Sequence, residues 1–546
     1  MVRTFWASPI LRSRYLAAVL AGLLLAAAFP KIGIAGLAWI APALMLAAAL
    51  GRSGGESFRI GYVAGVAYYL ASLYWLLLIP YRWHSIPLGP AAGWLSLSAY
   101  VALYPATWVW LLCPAGVLAR SWAQRTLWAI SGAALWVALE MLRDRLFTGF
   151  PWNPLGATQY QMVPLIQVAS VTGIYGVSFL IVWVSLSLLS AGLLIVLRPT
   201  TRSSWAGEIM LPVLIVGIVF NFGFRQLARA SAPERTLNVT LVQPSIPQTL
   251  IWDTSRDLDR FRELIQLSEQ ALTNRTDLLV WPEAAVPSYA RWDTNVYPAI
   301  TNLVRRHHVW LILGSDDVGR PAPPAAPDKY DYYNASFLVS PDGEFVSRYI
   351  KRNLVVFGEY IPLVRWLPFV KWFTPIEGGF TSGDRPVPFV LDHPDVKTSP
   401  LICFEDIFQR TAREAADDDT DFLVNLTNNG WFGDSAAQWQ HAAAAVFRAV
   451  ENGLPLVRCS NNGLTGWVDA QGRLRQVFRD DHGTIYGPGY LTAQIPLLSP
   501  GERRVPPFYH RHGNWFGWTC VGITGVVLLR RILRRRRTSR PAGQLP

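Results

Sequence analysis

The stretch LLVWPE, residues 278–283, decides the fold of the central part of this 546-residue chain. Its apolar residues form a short run typical of a buried strand, and Pro282 and Glu283 mark the point where that strand ends. Other short apolar runs alternate with amphipathic stretches, a pattern that predicts an α/β domain. The predicted strands are Leu237–Val242, Leu278–Trp281, Val309–Leu313, Pro400–Cys403, Phe422–Leu426 and Pro455–Cys459.

Helices and hairpins fill the spaces between these strands. One helix is predicted from an apolar face that consists of Leu258, Phe261, Leu264, Ile265 and Leu272. A second helix is predicted around Ala442–Val450, and hairpin turns are predicted at residues 341–343 and 469–472.

The composition outside this region indicates a membrane protein. Charged residues make up only 16% of the chain, AVILMFWYC 51%, and there are 24 Trp, whereas about 25% charge is usual in soluble domains. The aromatic content and the four Cys exclude disordered and disulfide-scaffold classes. Each of eight apolar runs approaches the roughly 20 helical residues that a bilayer requires. The predicted spans are 15–29, 34–50, 60–79, 92–118, 127–143, 170–197, 207–226 and 514–533.

The distribution of charge predicts the topology. Residues 231–500 carry 32 acidic against 24 basic side chains, a net charge of −8, whereas the rest of the chain carries 5 against 25. The positive charge lies in short loops and in the Arg-rich tail, which favours a cytoplasmic position for both termini and no nucleic-acid partner. We therefore predict a membrane domain with seven transmembrane helices at 1–230, an extracytoplasmic catalytic domain at 231–500, and a linker, eighth helix and cytoplasmic tail at 501–546.

Three polar residues follow apolar strands, where open α/β sheets build their sites. Glu283, Lys351 and Cys403 supply a carboxylate, an ammonium and a thiol, which together make a complete set for acyl transfer. Cys403 would be the nucleophile, with a pKa lowered by a nearby cation and by a helix that begins near Glu405. Glu283 would be the general base, and Lys351 would stabilise the oxyanion.

Each residue alone has an ordinary structural interpretation. A Cys after a strand is usually a small buried apolar residue, Pro-Glu is usually a turn, and a Lys at a hairpin end is usually solvated. The surrounding motifs carry the prediction: WPE at 281–283, FGEY at 357–360 and ICFE at 402–405.

In this order within one α/β domain, these motifs resemble the nitrilase superfamily with its Glu-Lys-Cys triad. Together with the membrane spans, the chain resembles the apolipoprotein N-acyltransferase family over nearly its whole length. That resemblance includes TGFPW at 148–152, QPSIPQ at 243–248 and NNGWFGD at 428–434. It implies a nitrilase-like αββα sandwich joined to the polytopic helical membrane domain.

The resemblance also implies an activity, its partners and further site residues. An acyl chain would pass from a phospholipid, usually phosphatidylethanolamine, through a thioester on Cys403 to the α-amine of a diacylglyceryl-Cys lipoprotein in the bacterial inner membrane. No cofactor and no metal is implied, and we expect a monomer. The supporting residues are Glu359, Glu405, Trp252, Asn334, Trp431 and Phe404, the last occupying a position where Tyr is common.

Other segments carry weaker predictions. Residues 363–380 are rich in aromatic residues and contain Pro368 and Pro375, which favours a loop at the membrane interface over a core helix. His307-His308 is interpreted as a solvated helix end and Asp417–Asp419 as a solvated loop, with metal binding as the alternative for each. Cys459, Cys113 and Cys520 are expected to be buried.

Two other functions remain open from the residues themselves. A membrane-tethered nitrilase-type hydrolase would cleave a soluble amide or nitrile and would need no phospholipid. A transporter would need charged residues within the spans, yet before residue 231 only Glu140 and Glu208 are candidates, both near span ends.

Overall fold

The computed structural model describes residues 14–80, 88–113, 119, 121–197, 205–229, 234–251, 253–320, 330–362 and 379–538. The chain separates into two compact units. The first unit comprises residues 1–74, 95–228 and 511–546, and the second comprises residues 75–94 and 229–510.

Apolar helices form the first unit. Its longer helices are Arg14–Ala27, Ala41–Ala49, Gly55–Ser72, Leu103–Leu112, Trp122–Arg143, Ile174–Leu197, Ala206–Ala228 and Trp515–Thr538. Shorter helical segments are Ala35–Trp39, Leu146–Thr148, Leu155–Gln159, Val163–Ile166 and Ala169–Thr172. The helix Gly89–Val101 crosses the boundary between the two units.

The prediction of eight spans is not confirmed. Within the described ranges, four helices are long and apolar enough to cross a bilayer: Gly89–Leu112, Ile174–Leu197, Ala206–Ala228 and Trp515–Arg534. The run at 34–50 breaks at Ile40 into a five-residue 3-10 helix and a nine-residue α-helix. The run at 60–79 similarly ends its α-helix at Ser72 and continues as a 3-10 helix. Sequence windows count apolar residues but do not register these breaks.

The two acidic residues noted in the membrane part are buried and paired. Glu208 lies in the first turn of its helix and forms an ion pair of 2.5 Å with Arg125. Glu140 lies in the last turn of its helix and accepts hydrogen bonds from Trp136 Nε1 at 3.0 Å and from the Leu155 amide at 2.7 Å. Both lie near helix ends, as predicted from their positions in the sequence.

Two six-stranded sheets form the second unit. The strands are β1 Arg235–Gln243, β2 Leu278–Val280, β3 Trp310–Gly319, β4 Asp331–Val339, β5 Phe345–Ile350, β6 Phe389–Leu391, β7 Val396–Ile402, β8 Phe422–Thr427, β9 Leu456–Ser460, β10 Gly466–Val468, β11 Leu474–Val477 and β12 Gly489–Leu497. The first sheet has the order β12-β1-β2-β3-β4-β5 and the second has the order β11-β10-β9-β8-β7-β6. Parallel pairing joins β1, β2 and β3, and also β7, β8 and β9.

Alternation along the strands explains why the sheets stack. Leu278 and Val280 enter a core shared by both sheets, whereas Leu279 faces helices on the outer side. The larger helices of this unit are α1 Asp257–Ala271, α2 Val296–His307, α3 Gln409–Ala415 and α4 Ala437–Asn452. Helices α1 and α2 cover the first sheet, while α3 contacts β7 and α4 contacts β9. The predicted αββα sandwich is therefore present.

Candidate active site

The predicted triad lies at strand ends of this sandwich. Glu283 follows β2, Lys351 follows β5 directly, and Cys403 follows β7 directly. Gly314 in β3 permits the path of the Glu283 segment, because a Cβ at Gly314 would lie 2.5 Å from the Pro282 carbonyl oxygen and 2.8 Å from the Glu283 Cα. The neighbouring β3 strand therefore allows the general-base candidate to lie close against the sheet.

Lys351 lies at the centre of a buried polar network. Its Nζ donates to Glu283 Oε1 at 3.0 Å and to Glu359 Oε1 at 2.7 Å. Asn334 Nδ2 donates to the same two oxygens, each at 2.9 Å. Burial alone would lower the pKa of Lys351, but Glu283 and Glu359 outweigh that effect and raise it well above its usual value. Lys351 is therefore a fixed positive charge.

Glu283 retains acceptor capacity on its second oxygen. Oε2 accepts one hydrogen bond, from the Asn428 amide at 3.0 Å. Asn428 belongs to the NNGWFGD motif, which follows β8. A carboxylate oxygen has room for more than one donor, so Oε2 can also receive a proton.

Cys403 occupies a strained turn between β7 and a short 3-10 helix, Cys403–Ile407. Its φ of +55° is in the left-handed region, which residues other than Gly, Asn and Asp rarely adopt. Asn425 Nδ2 holds the turn by donating to the Cys403 carbonyl at 2.7 Å. The residue as a whole is partly exposed.

Glu405 fixes this turn to the end of β5. Its carboxylate accepts from Tyr349 Oη and from the amides of Ile402, Arg352 and Asn353, all at 2.7–3.0 Å. The side chain is fully buried and all four acceptor positions are used. Glu405 is therefore placed to orient the nucleophile and not to exchange protons.

The expectation of a lowered thiol pKa is wrong. Burial, followed by the charge of Glu283, raises the pKa of Cys403 to about 12, although Lys351 acts in the opposite direction. The helix that follows is only a five-residue 3-10 segment. Cys403 is therefore a thiol at neutral pH, and it needs a base during the reaction.

Phe404 lies against the lysine of the network. Lys351 Nζ is 5.6 Å from the centroid of the Phe404 ring, and that ring packs edge-on against Phe408 at 5.2 Å. The aromatic face thus contacts the cation without a hydroxyl group. Trp431 lies in the short 3-10 helix Gly430–Phe432 and is partly exposed. Trp252 and residues 363–378 lie outside the described residues, so their predicted roles stay predictions.

A second charged network, which the sequence analysis missed, lies behind the nucleophile. Asp406 accepts from Arg458 and lies 2.6 Å from His441 Nε2. All three side chains are almost fully buried. Burial alone would raise the pKa of Asp406, but His441 and Arg458 outweigh it and lower that pKa. Asp406 is 35 positions from His441 and 52 from Arg458 in the sequence, so no local pattern connects it to either residue.

Asp316 is a third carboxylate at the site that the sequence analysis missed. It lies in β3 directly opposite Asn334 of β4. Burial, then the charges of Glu359 and Glu283, raises its pKa to about 7. Asp316 follows the apolar run Val309–Leu313 closely, so the strand-end rule that selected Glu283 would have found it.

The remaining candidates lie elsewhere. His307 Nε2 contacts Glu269 Oε2 at 2.6 Å, and His308 ends helix α2 in a left-handed conformation. Lys397 forms ion pairs with Asp417 and Asp419. Cys459, Cys113 and Cys520 are buried and unbridged, as predicted. In the described part of the chain, no group of three His, Cys, Asp or Glu side chains could hold a metal ion.

The chemistry of the arrangement follows from its parts. A thiol on a rigid turn supplies a nucleophile, and a neighbouring carboxylate can remove its proton. A buried ammonium can stabilise negative charge that develops on a carbonyl oxygen. A thiol, a carboxylate and an ammonium are the groups that acyl transfer to sulfur requires.

Family models match both parts of the chain. Residues 21–187 match the model described as "Apolipoprotein N-acyltransferase N-terminal domain". Residues 238–488 match the model described as "Carbon-nitrogen hydrolase".

Curated relatives match nearly the whole chain. An apolipoprotein N-acyltransferase of Geobacter metallireducens is 37% identical over 94% of this chain and 95% of its own length. An apolipoprotein N-acyltransferase of Methylococcus capsulatus is 32% identical over 97% of this chain and 98% of its own length.

Solved structures of the nitrilase superfamily match about half of the chain. Nit3 of Saccharomyces cerevisiae covers 49% of this chain and 92% of its own, at 16% identity and a TM-score of 0.35. An amidase from Nesterenkonia covers 49% and 94%, at 18% identity and a TM-score of 0.32.

Proposed function

The chain belongs to the apolipoprotein N-acyltransferase family, and from this premise we propose that it moves an acyl chain from a phospholipid to the N-terminal α-amine of diacylglyceryl-Cys lipoproteins. The observation that carries the proposal is the set of strand-end residues: the Cys403 thiol, the Glu283 carboxylate whose charge acts on it, and the Lys351 ammonium. Phosphatidylethanolamine is the proposed donor. The protein is thus an acyltransferase with membrane helices.

In the first half-reaction the thiol opens a phospholipid ester. Glu283 takes the Cys403 proton as the sulfur attacks the ester carbonyl carbon, and a C–S bond forms. Lys351 stabilises the resulting oxyanion, because its charge is fixed by two carboxylates. The C–O bond then breaks, Glu283 returns the proton to the departing oxygen, and a lysophospholipid leaves.

In the second half-reaction the lipoprotein amine attacks the thioester. The N–C bond forms, the C–S bond breaks, and Cys403 regains its proton through Glu283. Water would compete with the amine for the same carbonyl carbon, so it must be excluded between the two steps. Phe404 and Phe408 provide apolar surface beside the nucleophile.

The location of the activity follows from the charge distribution. We propose a monomer in the bacterial inner membrane with the 231–500 domain facing the periplasm and both termini in the cytoplasm. The excess of Arg outside that domain supports this orientation, because positive residues stay in cytoplasmic loops. No nucleic-acid partner and no cofactor is part of the proposal.

Intact-mass spectrometry of the purified protein tests this function. After incubation with phosphatidylethanolamine, the wild type should carry one added acyl mass, and a diacylglyceryl-Cys peptide should remove it. Cys403→Ala should never carry this mass, whereas Cys459→Ala, which alters a buried Cys that is not part of the triad, should carry it as the wild type does. Turnover of a soluble amide without any acyl mass would instead establish a nitrilase-type hydrolase.

A further inference from the structure

Asp316 shares a face of the first sheet with the catalytic network. Directly opposed residues of antiparallel strands project to the same side, so Asp316 lies beside Asn334, which donates to Glu283 and Glu359. The next residue, Asp317, projects to the other face and binds Arg291 and Arg348. Neighbouring carboxylates on one strand therefore have different surroundings.

The site holds more carboxylates than cations. Glu283 and Glu359 each form an ion pair with Lys351, at 3.0 Å and 2.7 Å. The Asp316 carboxylate makes no hydrogen bond or ion pair with the residues that the structure describes. It is also partly exposed, so it can exchange a proton with solvent.

The second half-reaction of the proposed function releases one proton that no residue of the triad accepts. The acceptor amine arrives as –NH3+ and leaves as a neutral amide, so its nitrogen loses two protons. One of them passes through Glu283 to the sulfur of Cys403 and restores the thiol. The other must leave the nitrogen before attack, because an ammonium has no free electron pair.

We propose that Asp316 accepts this first proton from the α-ammonium of the lipoprotein and passes it to solvent. The inference rests on the proposed function. It balances the second half-reaction: R–NH3+ and the Cys403 thioester give the amide, the Cys403 thiol and one proton released to water.

The electrostatics of the site agree with this role. Burial and the neighbouring carboxylates raise the pKa of Asp316 to about 7, which is within about one unit of the 7.7–8.0 typical of an α-amine. The titratable groups that interact with Asp316 are Glu283, Tyr289, Lys351 and Glu359. Its partner on β4, Asn334, does not titrate.

The test is the pH dependence of each half-reaction, measured separately by rapid-quench mass spectrometry from pH 6 to pH 9.5. In Asp316→Asn the discharge of the acyl-enzyme to the peptide should be about tenfold slower at pH 7.5, where Asp316 is mostly ionised and the amine mostly protonated, and within about twofold of wild type at pH 9. At high pH the amine deprotonates in solution, so no acceptor is needed. Formation of the acyl-enzyme should keep its wild-type profile.

Two further variants separate chemistry from structure. Asp316→Glu should restore the wild-type profile, and Asp317→Asn should leave it unshifted even if it lowers the melting temperature. An unshifted discharge profile in Asp316→Asn would overturn the inference while leaving the proposed function intact. Absence of any acyl-enzyme in the wild type would overturn the proposed function itself.

Discussion

Two clusters of charge flank Cys403, and they differ in the balance of charge. The site cluster consists of Glu283, Asp316, Lys351 and Glu359, with three carboxylates around one ammonium. The support cluster consists of Asp406, His441 and Arg458, with one carboxylate between an imidazole and a guanidinium.

This difference in charge balance shifts the pKa values of the two clusters in opposite directions. Burial and excess negative charge raise the pKa of Asp316 to about 7, so this carboxyl can gain or lose a proton near neutral pH. The same two causes raise the pKa of Cys403, so its proton stays on the sulfur at neutral pH. In the support cluster the pKa of Asp406 is lowered, so its charge is permanent. A cluster with excess like charge can therefore move protons, whereas a cluster with matched charge holds the backbone in place.

The largest expected effect is on the site cluster. Glu283→Gln keeps the shape and the acceptor oxygen but cannot take the Cys403 proton, whose thiol pKa is about 12. We expect kcat/KM for acyl transfer to the peptide to fall by about 10²–10⁴-fold.

Glu414→Gln is the matched control, since Glu414 is partly exposed and pairs with Arg352 and Arg410 away from the thiol. Melting temperatures of both variants show whether the fold is retained. Activity of Glu283→Gln within tenfold of wild type would remove Glu283 from the role of base.

The next effect is on the support cluster and concerns stability. Asp406→Asn leaves the Arg458 charge buried without a counter-ion, and such a loss destabilises by about 3–5 kcal/mol. We expect a clear decrease in melting temperature at pH 7. Because the folded pKa of Asp406 is lowered, its stabilisation is present above the unfolded value of about 3.9 and is lost as pH falls below it.

Asp419→Asn is the control for the support cluster, because its ion pair with Lys397 is largely exposed. An exposed pair contributes about 0–1 kcal/mol, so the melting temperature should barely change. Equal shifts for Asp406→Asn and Asp419→Asn would show that the support cluster has no structural role.

The smallest effect is expected at the boundary between the two clusters. Phe404→Tyr keeps the ring that contacts Lys351 and Phe408, so kcat/KM should stay within about twofold of wild type. Phe404→Ala removes the ring and should reduce activity more than Phe404→Tyr does. A large gain in Phe404→Tyr would show that the missing hydroxyl limits the reaction.

Short-range sequence features predicted an α/β domain and the positions of its site residues, whereas the sandwich was predicted from the resemblance to a family. All six predicted strands are present, and Glu283, Lys351 and Cys403 lie at strand ends because an apolar run followed by a polar residue is a local pattern. The membrane part was overestimated, since the break at Ile40 and the end of the helix at Ser72 depend on packing.

Electrostatic properties were the part that the sequence could not supply. The pKa of Cys403 depends on carboxylates that arrive from β2 and from the segment after β5, 44 or more positions away. Asp406 is likewise 35 positions from His441 and 52 from Arg458. Each contact is set by how strands stack, which no window of neighbouring residues contains.

The left-handed backbone at Cys403 also limits which amino-acid substitutions this position can accept. A β-branched residue such as Thr would be strained at a φ of +55°, so it is a poor replacement nucleophile. Glycine would relieve roughly 1–2 kcal/mol of that strain. A single nucleotide change converts a Cys codon into a Gly codon, so a protein without this strain and without the thiol is one mutation away. Only selection for the reaction keeps cysteine at this position.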